Sequence, residues 1–224
     1  YEKVRAGVNT ICESFKTYGV DSVAISYNGG KDSDVCLQLW RLSLYVYLDQ
    51  LGRLAEYQES VYNGLCVTFQ CADDFEEINN HVCSVITDIG MDLFRSVHSF
   101  KQGMQKVIDV FHTQAIILGV RRTDPQGAGL TPLTPSSSGF PPFMRVLPIL
   151  EWTYGDVWDF LLFFGIPYCS LYRSGFLLPF LLICRYTSIG TKRNTFRNRL
   201  LQKEDGSFDH ASKLSDWSAE RARD

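Results

Sequence analysis

Short apolar segments alternate with longer helical stretches over residues 1–120, and this alternation limits the possible folds more than any other feature. Four segments have the length and composition of buried strands: residues 22–27, 65–70, 92–97 and 114–120. Four stretches with helical periodicity lie before and between them: residues 4–15, 32–48, 74–89 and 100–112. Strands that alternate with helices imply right-handed crossover connections. The sequence therefore predicts an α/β fold, in which a mostly parallel sheet carries helices on both faces.

The composition excludes several classes of protein. Among 224 residues, 25 acidic and 22 basic side chains give a net charge of −3, which offers no basic surface to nucleic acid. The longest apolar run, residues 176–184, is shorter than the roughly 20 residues of a membrane-spanning helix. Seven cysteines without a CxxC pair favour a reducing compartment. We expect a monomer that binds neither membrane nor nucleic acid, in the cytoplasm, with a mitochondrial form left open. Because the sequence opens at Tyr1, we also expect it to be part of a longer protein.

A glycine-rich turn, residues 26–34 (SYNGGKDSD), lies between the first predicted strand and the following helix. An open parallel sheet binds its ligands at this edge. Gly29 and Gly30 let the backbone approach an anion, which the helix N-terminus and Lys31 would attract. Asp32 would repel bare phosphate, and this points to a bound magnesium ion or to a role in orienting neighbouring groups. The spacing is not that of a Walker A loop, and a plain turn with a charged cap is the alternative.

A loop of about twenty residues follows the fourth predicted strand. Residues 121–142 are rich in proline, glycine and serine and have no periodicity, whereas residues 144–150 could form a last strand. A capping box at Thr153 and Asp156 starts a helix that runs to Phe164. We expect an α/β nucleotide-binding domain over residues 1–165 and an irregular C-terminal extension over residues 166–224.

The glycine-rich turn resembles the pyrophosphate-binding loop of the adenine-nucleotide α-hydrolase superfamily, whose usual form is SGGKDS. Residues 119–125 (GVRRTDP) and 142–158 (PFMRVLPILEWTYGDVW) narrow the resemblance to eukaryotic FAD synthases, or FMN adenylyltransferases. Shorter matches extend it nearly to the C-terminus: residues 167–172, 186–190, 194–195 and 220–222. The resemblance implies a Rossmann-like fold and a Mg²⁺-dependent transfer of the adenylyl group of ATP to FMN, giving FAD and pyrophosphate. Apoenzymes that receive FAD are possible partners.

The resemblance also assigns roles to residues. No covalent nucleophile is expected, because positioning and charge neutralisation carry such a transfer. The catalytic residues would be Asn28, Asp32, Asp124 and Arg221, with Asp32 also a candidate magnesium ligand. The ATP contacts would be Ser26, Tyr27, Gly29, Gly30, Lys31, Ser33 and Asp73. The flavin contacts, in a loop over residues 121–145 and at the C-terminus, would be Val120, Arg121, Gly139, Phe140, Pro141, Arg145 and Arg223. Substitution of Asp32 by alanine is expected to abolish FAD formation and to leave the fold intact.

Ordinary structural roles are open for some of these residues. Asn28 could serve the turn, Asp32 could cap the helix, and Asp124 could close a turn before Pro125. Asp73, together with Asp74, could cap the helix predicted to begin there. Trp152 and Trp158 are interpreted as core residues rather than flavin contacts.

Two features depart from the family pattern. Residues 176–185 (FLLPFLLICR) form an apolar insertion, which is either a gene-model error or a hydrophobic lid or interaction element. At the C-terminus the family has ERxxR, and here Arg221 matches while Arg223 lies one position early. A homologue that binds nucleotide without turnover, disabled by these changes, is therefore an alternative.

Related activities fit the sequence less well. A phosphoadenosine phosphosulfate reductase needs a nucleophilic cysteine in a C-terminal ECG motif, which this sequence lacks. A tRNA-thiolating ATPase would bring CxxC pairs or a basic RNA-binding face.

Overall fold

The computed structural model describes residues 1–59, 62–173 and 186–221. Six strands form one sheet in the order β3-β2-β1-β4-β6-β5. The strands are β1 (Val23–Ser26), β2 (Leu65–Phe69), β3 (Asp92–Ser96), β4 (Ala115–Ile117), β5 (Leu133–Pro135) and β6 (Met144–Val146). All neighbouring strands are parallel except β5 and β6, which are antiparallel.

Helices connect the strands. The α-helices of the described residues are α1 (Glu2–Tyr18), α2 (Lys31–Gln50), α3 (Leu54–Gln58), α4 (Glu76–Ile89), α5 (Phe100–Phe111) and α6 (Tyr154–Phe163). None of the described helices is both long and apolar enough to cross a membrane.

Side chains alternate across the central strands and so build a core on each face of the sheet. Ala24, Val67 and Ile116 point to one face, where α5 covers them. Residues of the same strands with the opposite orientation belong to the larger core, which α1, α2, α4 and α6 cover. The predicted α/β class, with a mostly parallel sheet between helices, is confirmed.

The limits of some elements differ from the prediction. β4 ends at Ile117 and β6 at Val146, although both apolar segments continue for about three residues more. Strand β5 lies inside the stretch predicted to be a loop, where it pairs with β6 at the edge of the sheet. Its three residues are too few to show a periodicity, and they form a strand only because they pair with β6.

The helix caps were predicted with mixed success. The capping box of α6 is present, with both the Thr153 side chain and the Asp156 side chain bonded as expected. Trp158 of the same helix is buried in the core, as predicted. Helix α4 begins at Glu76 with Phe75 as its N-cap, so the structural alternative in which Asp73 and Asp74 cap this helix does not hold.

The C-terminal extension is irregular but packs into the main core. It contains short 3-10 helices at Arg199–Leu201, Ala211–Lys213 and Trp217–Arg221. Leu201, Phe208 and Leu214 are buried in the larger core, together with apolar side chains of α1, α2, α4 and α6. The apolar insertion, residues 176–185, lies outside the described residues.

Candidate active site

The strand order reverses between β1 and β4. From β1 the chain moves outward to β2 and β3, and from β4 it continues on the other side to β6 and β5. In open α/β sheets, the connections leave opposite sides at such a point and open a crevice beyond the carboxyl ends of the strands. The glycine-rich turn after β1 and residues 118–124 after β4 flank this crevice. Three of the four predicted catalytic residues, Asn28, Asp32 and Asp124, therefore come from the two segments that the topology brings together, and Arg221 comes from the C-terminal extension.

The backbone of the turn after β1 depends on a glycine at position 29 and on hydrogen bonds to the Asn28 side chain. Gly29 has φ 70°, and a Cβ atom there would lie 2.8 Å from Val82 of α4. The Asn28 Oδ1 atom accepts hydrogen bonds from the Gly30 N–H group at 3.0 Å and from the Ser33 hydroxyl at 2.9 Å. Asn28 thus stabilises the turn, which is the structural role given above as its alternative to a catalytic one. The residue is exposed to solvent.

A cluster of buried charges lies beneath the crevice. The Lys31 ammonium group contacts Asp32 Oδ2 at 3.0 Å and Glu220 Oε1 at 2.5 Å. The Arg121 guanidinium group donates to both oxygens of Glu220, at 2.7 and 2.6 Å. The side chains of Lys31 and Arg121 are each 1% exposed. Glu220 therefore bridges two buried cations from different segments of the chain.

Asp124 and Arg221 complete this cluster at its solvent side. The Arg221 guanidinium group donates to Asp124 Oδ1 at 2.9 Å, and the backbone N–H group of Arg121 donates to Asp124 Oδ2 at 2.9 Å. Asp124 thus bonds back to the chain before it, rather than only closing a turn at Pro125. Three carboxylates meet three cations here, so the charges of the cluster balance. Arg221 is 50% exposed and is the part of the cluster that faces solvent.

Asp32 is held in its ionised form. Burial by itself would raise the pKa of this carboxyl group, but Lys31 and Arg121 outweigh burial and lower the pKa. Its Oδ1 atom lies 2.9 Å from Arg121 Nε, yet the geometry is not that of a hydrogen bond. This buried oxygen therefore lies beside a guanidinium group but accepts no hydrogen bond from the described residues. Asp32 lies within the first turn of α2 and not at its N-cap, which is Gly30.

The structure encloses the side chains of both Lys31 and Arg121. Both were expected to touch substrate, Lys31 as an ATP contact and Arg121 as a flavin contact. In the structure both side chains are enclosed and paired with carboxylates. In this conformation they can act on a ligand only through the groups that they position and through their charge. Sequence reasoning did not assign a role to Glu220, although this residue stands in the short match at residues 220–222.

A second set of largely buried polar side chains, Tyr27, Asp34 and His81, lies behind the turn. The Tyr27 hydroxyl donates to Asp34 Oδ1 at 2.6 Å, and His81 Nε2 lies 3.0 Å from the same oxygen. Tyr27 is fully buried, and its hydroxyl faces Asp34 rather than the crevice. Burial raises the pKa of Asp34, and hydrogen bonds from His81 and Tyr27 offset part of this rise. Asp34 thereby ties both ends of the turn to α4.

Replacing His81 with leucine should lower the free energy of unfolding by about 1–3 kcal/mol, because Asp34 would lose a hydrogen bond in a site closed to water. Urea unfolding followed by circular dichroism measures this change. Replacing the exposed His98 with leucine is the control and should change stability by less than about 0.5 kcal/mol. Equal effects of the two substitutions would show that the Asp34 contact contributes nothing.

The other predicted ATP contacts lie around the ends of β1 and β2. Asp73 pairs with Arg193 at 2.6 Å, and its backbone oxygen accepts the Lys192 N–H group at 2.8 Å. Asp73 therefore links β2 to the C-terminal extension. The Ser33 hydroxyl is buried and donates to Asn28, so it supports the turn. Ser26 is the last residue of β1 and pairs with Val67.

The predicted flavin contacts that the structure describes are spread over the tip of the loop, strand β6 and the segment after β4. Gly139 (φ 84°) and Phe140 form the tip of the loop, where Phe140 is 41% exposed and lies against Phe100 with ring centroids 5.9 Å apart. Arg145 of β6 donates to the carbonyl oxygen of Pro135 at 3.1 Å. The remaining members are Pro141, which is buried, and Val120, which is half-buried. Arg223 lies outside the described residues.

The donors present fit a magnesium ion that is shared with a substrate. Mg²⁺ is bound in nucleotide sites by one or two carboxylates and by phosphate oxygens, rather than by a cage of protein ligands. Asp32 supplies a buried carboxylate oxygen that lies beside Arg121 and accepts no hydrogen bond within the described part of the chain. Within the described residues no group of three or more His, Cys, Asp or Glu side chains could hold a metal by itself. Asp32 is thus a suitable ligand only together with phosphate.

Comparison with known proteins defines the class. A family model described as the phosphoadenosine phosphosulfate reductase domain matches residues 22–196, which include the glycine-rich turn and the segment after β4. The fold and the site are thus those of a nucleotide-binding α/β protein with this domain.

Individual relatives narrow the class. The probable FAD synthase of Schizosaccharomyces pombe is 34% identical over 210 residues, which are 93% of this chain and 74% of that protein. The structure of Candida glabrata FMN adenylyltransferase in complex with FAD and inorganic pyrophosphate is 26% identical, with a TM-score of 0.78 over 91% of this chain and 66% of that chain. The structure of the same enzyme with FMN and the ATP analogue AMPCPP is 25% identical, with a TM-score of 0.79 over 100% of this chain and 74% of that chain. The chain belongs to the FAD synthases within the phosphoadenosine phosphosulfate reductase domain family, and the predicted resemblance is confirmed.

Proposed function

We propose that this chain binds ATP and FMN and transfers the adenylyl group of ATP to FMN, releasing pyrophosphate. The observation that carries the proposal is the charge cluster at the strand-order reversal. It unites Lys31 and Asp32 of the turn, Arg121 and Asp124 of the segment after β4, and Arg221 of the C-terminus. These segments are the ones that match FAD synthases, and they meet where an α/β sheet binds its ligand.

The reaction brings several phosphates together, and the chain must offset their charge. The FMN phosphate attacks the α-phosphorus of ATP in line with the departing pyrophosphate, so positioning and preorganised charge are the requirements. Arg221 is exposed at the crevice and would contact phosphate directly. Lys31 and Arg121 would hold the Asp32 carboxylate in one orientation from below. The backbone of residues 28–31 would receive the β and γ phosphates.

Asp32 and the substrate phosphates would hold the magnesium ion. When bound, Mg²⁺ neutralises phosphate charge and polarises the α-phosphate for attack. Asp124 orients Arg221 through their hydrogen bond at 2.9 Å and so keeps this cation beside the reacting phosphates. At the loop tip, Phe140 offers a ring on which the isoalloxazine can stack. We further propose a cytoplasmic monomer that passes FAD to apoenzymes, and the seven cysteines without a CxxC pair fit a reducing compartment.

The experiment is to supply FMN, ATP and Mg²⁺ to the purified chain and to measure FAD by fluorescence after chromatography together with released pyrophosphate. Equimolar FAD and pyrophosphate are expected. A version without residues 176–185, assayed beside it, tests whether the apolar insertion is tolerated. Activity of the shortened version alone would identify the insertion as an error or an inhibitory element.

A nucleotide-binding homologue without turnover is the second candidate. The pairing of both Lys31 and Arg121 with Glu220 favours it, because neither cation is then free for a phosphate. ATP binding measured by calorimetry, without FAD formation by either version, would support this candidate.

Replacing Asp124 with asparagine should reduce the turnover number about 100-fold, because Arg221 would lose the charge that orients it. The asparagine keeps the shape of the side chain, and the KM for ATP should change less than the turnover number. Steady-state FAD formation measures both constants. Asp209→Asn, an exposed carboxylate paired with Lys203, is the control and should leave both constants unchanged.

A further inference from the structure

Asn198 is a buried amide whose polar atoms all have partners in three segments of the chain. The residue is 2% exposed. Its Nδ2 atom donates to Thr187 Oγ1 at 3.1 Å and to the carbonyl oxygen of Ala219 at 2.8 Å, and its Oδ1 atom accepts the Leu200 N–H group at 3.1 Å. An amide with this set of bonds is held in one orientation, because exchange of its oxygen and nitrogen would break the bonds to the Ala219 carbonyl and the Leu200 N–H group.

Thr187 extends this arrangement to the next residue of the C-terminal turn. Its hydroxyl is buried and donates to the carbonyl oxygen of Glu220 at 2.6 Å, while it accepts the bond from Asn198. The two consecutive carbonyls before Arg221, those of Ala219 and Glu220, are therefore both held by side chains. Carbonyls at the end of a helix have no partner within that helix and need one from elsewhere.

The turn that these bonds hold carries two residues of the charge cluster. Glu220 reaches inward to Lys31 and Arg121, whereas Arg221 reaches outward to Asp124. The 3-10 helix Trp217–Arg221 has only five residues, and such a helix is too short to keep its position by itself. Its C-terminal end must therefore be located by contacts such as those of Asn198 and Thr187.

A small cavity of about 200 Å³ lies on the solvent side of the same turn. Residues of the segment between Ser188 and Phe196 line it together with Glu220 and Arg221. The stretch that holds the turn from behind thus also shapes the space in front of it. A displacement of the turn would move Arg221 relative to this space and to Asp124.

We propose that Asn198 is a positioning residue for adenylyl transfer. Through Thr187 and the carbonyls of Ala219 and Glu220, it sets the place of Arg221 against Asp124. This inference rests on the proposed function, because it concerns how that reaction is supported. Asn198 itself contributes no atom to the reacting centre.

The first test does not depend on activity. Hydrogen exchange of the backbone amides is compared between the wild-type chain and Asn198→Ala. Amides of residues 217–221 should exchange at least about tenfold faster in the variant, while those of β1 and β4 keep their rates. Unchanged rates in the turn would overturn the inference, whether or not the chain makes FAD.

The second test is a double-mutant cycle with Arg221→Ala. In the wild-type background, Asn198→Ala should lower the turnover number about tenfold to 100-fold, since misplacement of a contact group by about 1 Å has effects of this size. In the Arg221→Ala background, it should lower the turnover number about threefold or less. A residue that only stabilises the fold would have the same effect in both backgrounds, and that result would overturn the inference.

Matched variants keep the test valid if Asn198→Ala fails to fold. Thr187→Val removes the hydroxyl that bonds to Glu220, whereas Thr187→Ser retains it. Thr187→Val should reproduce the loss of turnover, and Thr187→Ser should retain activity within about threefold. Leu214→Ala, a core change in the same extension, should lower the thermal midpoint without lowering the turnover number of the folded enzyme. Absence of FAD formation in the wild-type chain would contradict the proposed function, and the exchange rates would still decide whether Asn198 holds the turn at residues 217–221.

Discussion

Replacing Glu220 with alanine should lower the free energy of unfolding by about 3–5 kcal/mol, because it removes the shared partner of two buried cations. Lys31 and Arg121 are each 1% exposed, and Glu220 accepts bonds from both. Without this carboxylate, the two cations would share Asp32, with Asp124 at 3.7 Å from Arg121. The cluster would then hold an excess positive charge that water cannot reach.

Urea unfolding of the variant and the wild-type chain measures this loss. Glu220→Gln keeps a hydrogen-bond acceptor but removes the charge. Its free energy of unfolding should therefore lie between those of the wild-type chain and Glu220→Ala. Glu204→Ala removes an exposed carboxylate from the same extension and should change stability by less than about 0.5 kcal/mol. A loss below about 1 kcal/mol in Glu220→Ala would mean that the bridge is not closed to solvent.

Replacing Asp32 with asparagine should reduce FAD formation about 1,000-fold, the largest effect on activity that we expect from a single change in this chain. Its ionised carboxylate is the proposed contact between the chain and the magnesium ion, and asparagine presents a neutral oxygen instead. Asp32 is also the partner of Lys31 and Arg121, so the substitution disturbs the cations that position it.

The measurement combines turnover with ATP binding at several magnesium concentrations. The variant should still bind ATP within about tenfold of the wild type, while added Mg²⁺ should fail to restore turnover. Ser33→Ala, a change in the same turn that keeps all charges, is the control and should lose much less activity. Near-normal turnover in Asp32→Asn would remove this residue from the mechanism. The expectation that Asp32→Ala leaves the fold intact stays a prediction, and because Asp32 lies within a buried ion-pair cluster, urea unfolding of that variant tests it.

The position of the site could be predicted because its signals are local. Gly29 and Gly30 follow a strand and precede a helix, and the edge at which such a turn lies depends only on the alternation of strands and helices. The α6 capping box was readable for the same reason, since Thr153 and Asp156 are three residues apart. Strand β5 was missed because its three residues acquire their structure by pairing with β6.

The partners of the buried charges could not be predicted from the sequence. Glu220 is 189 residues from Lys31 and 99 from Arg121, and the sequence contains 25 acidic residues that could have paired with them. The contact between His81 and Asp34 is similar, since it joins α4 to α2 across 47 residues. No periodicity or spacing distinguishes these residues from solvent-exposed ones.

The sequence by itself determined the α/β class, because local periodicity encodes strands, helices and turns. Its ordered motifs carry the resemblance to the family, and that resemblance names the segments of the candidate site. Only the tertiary structure decided that Lys31 and Arg121 are buried, that Tyr27 faces Asp34 rather than the crevice, and that Glu220 joins the cluster. The physical reason is desolvation. Whether a charged side chain is closed off from water depends on every segment that packs around it, and those segments are distant in the sequence.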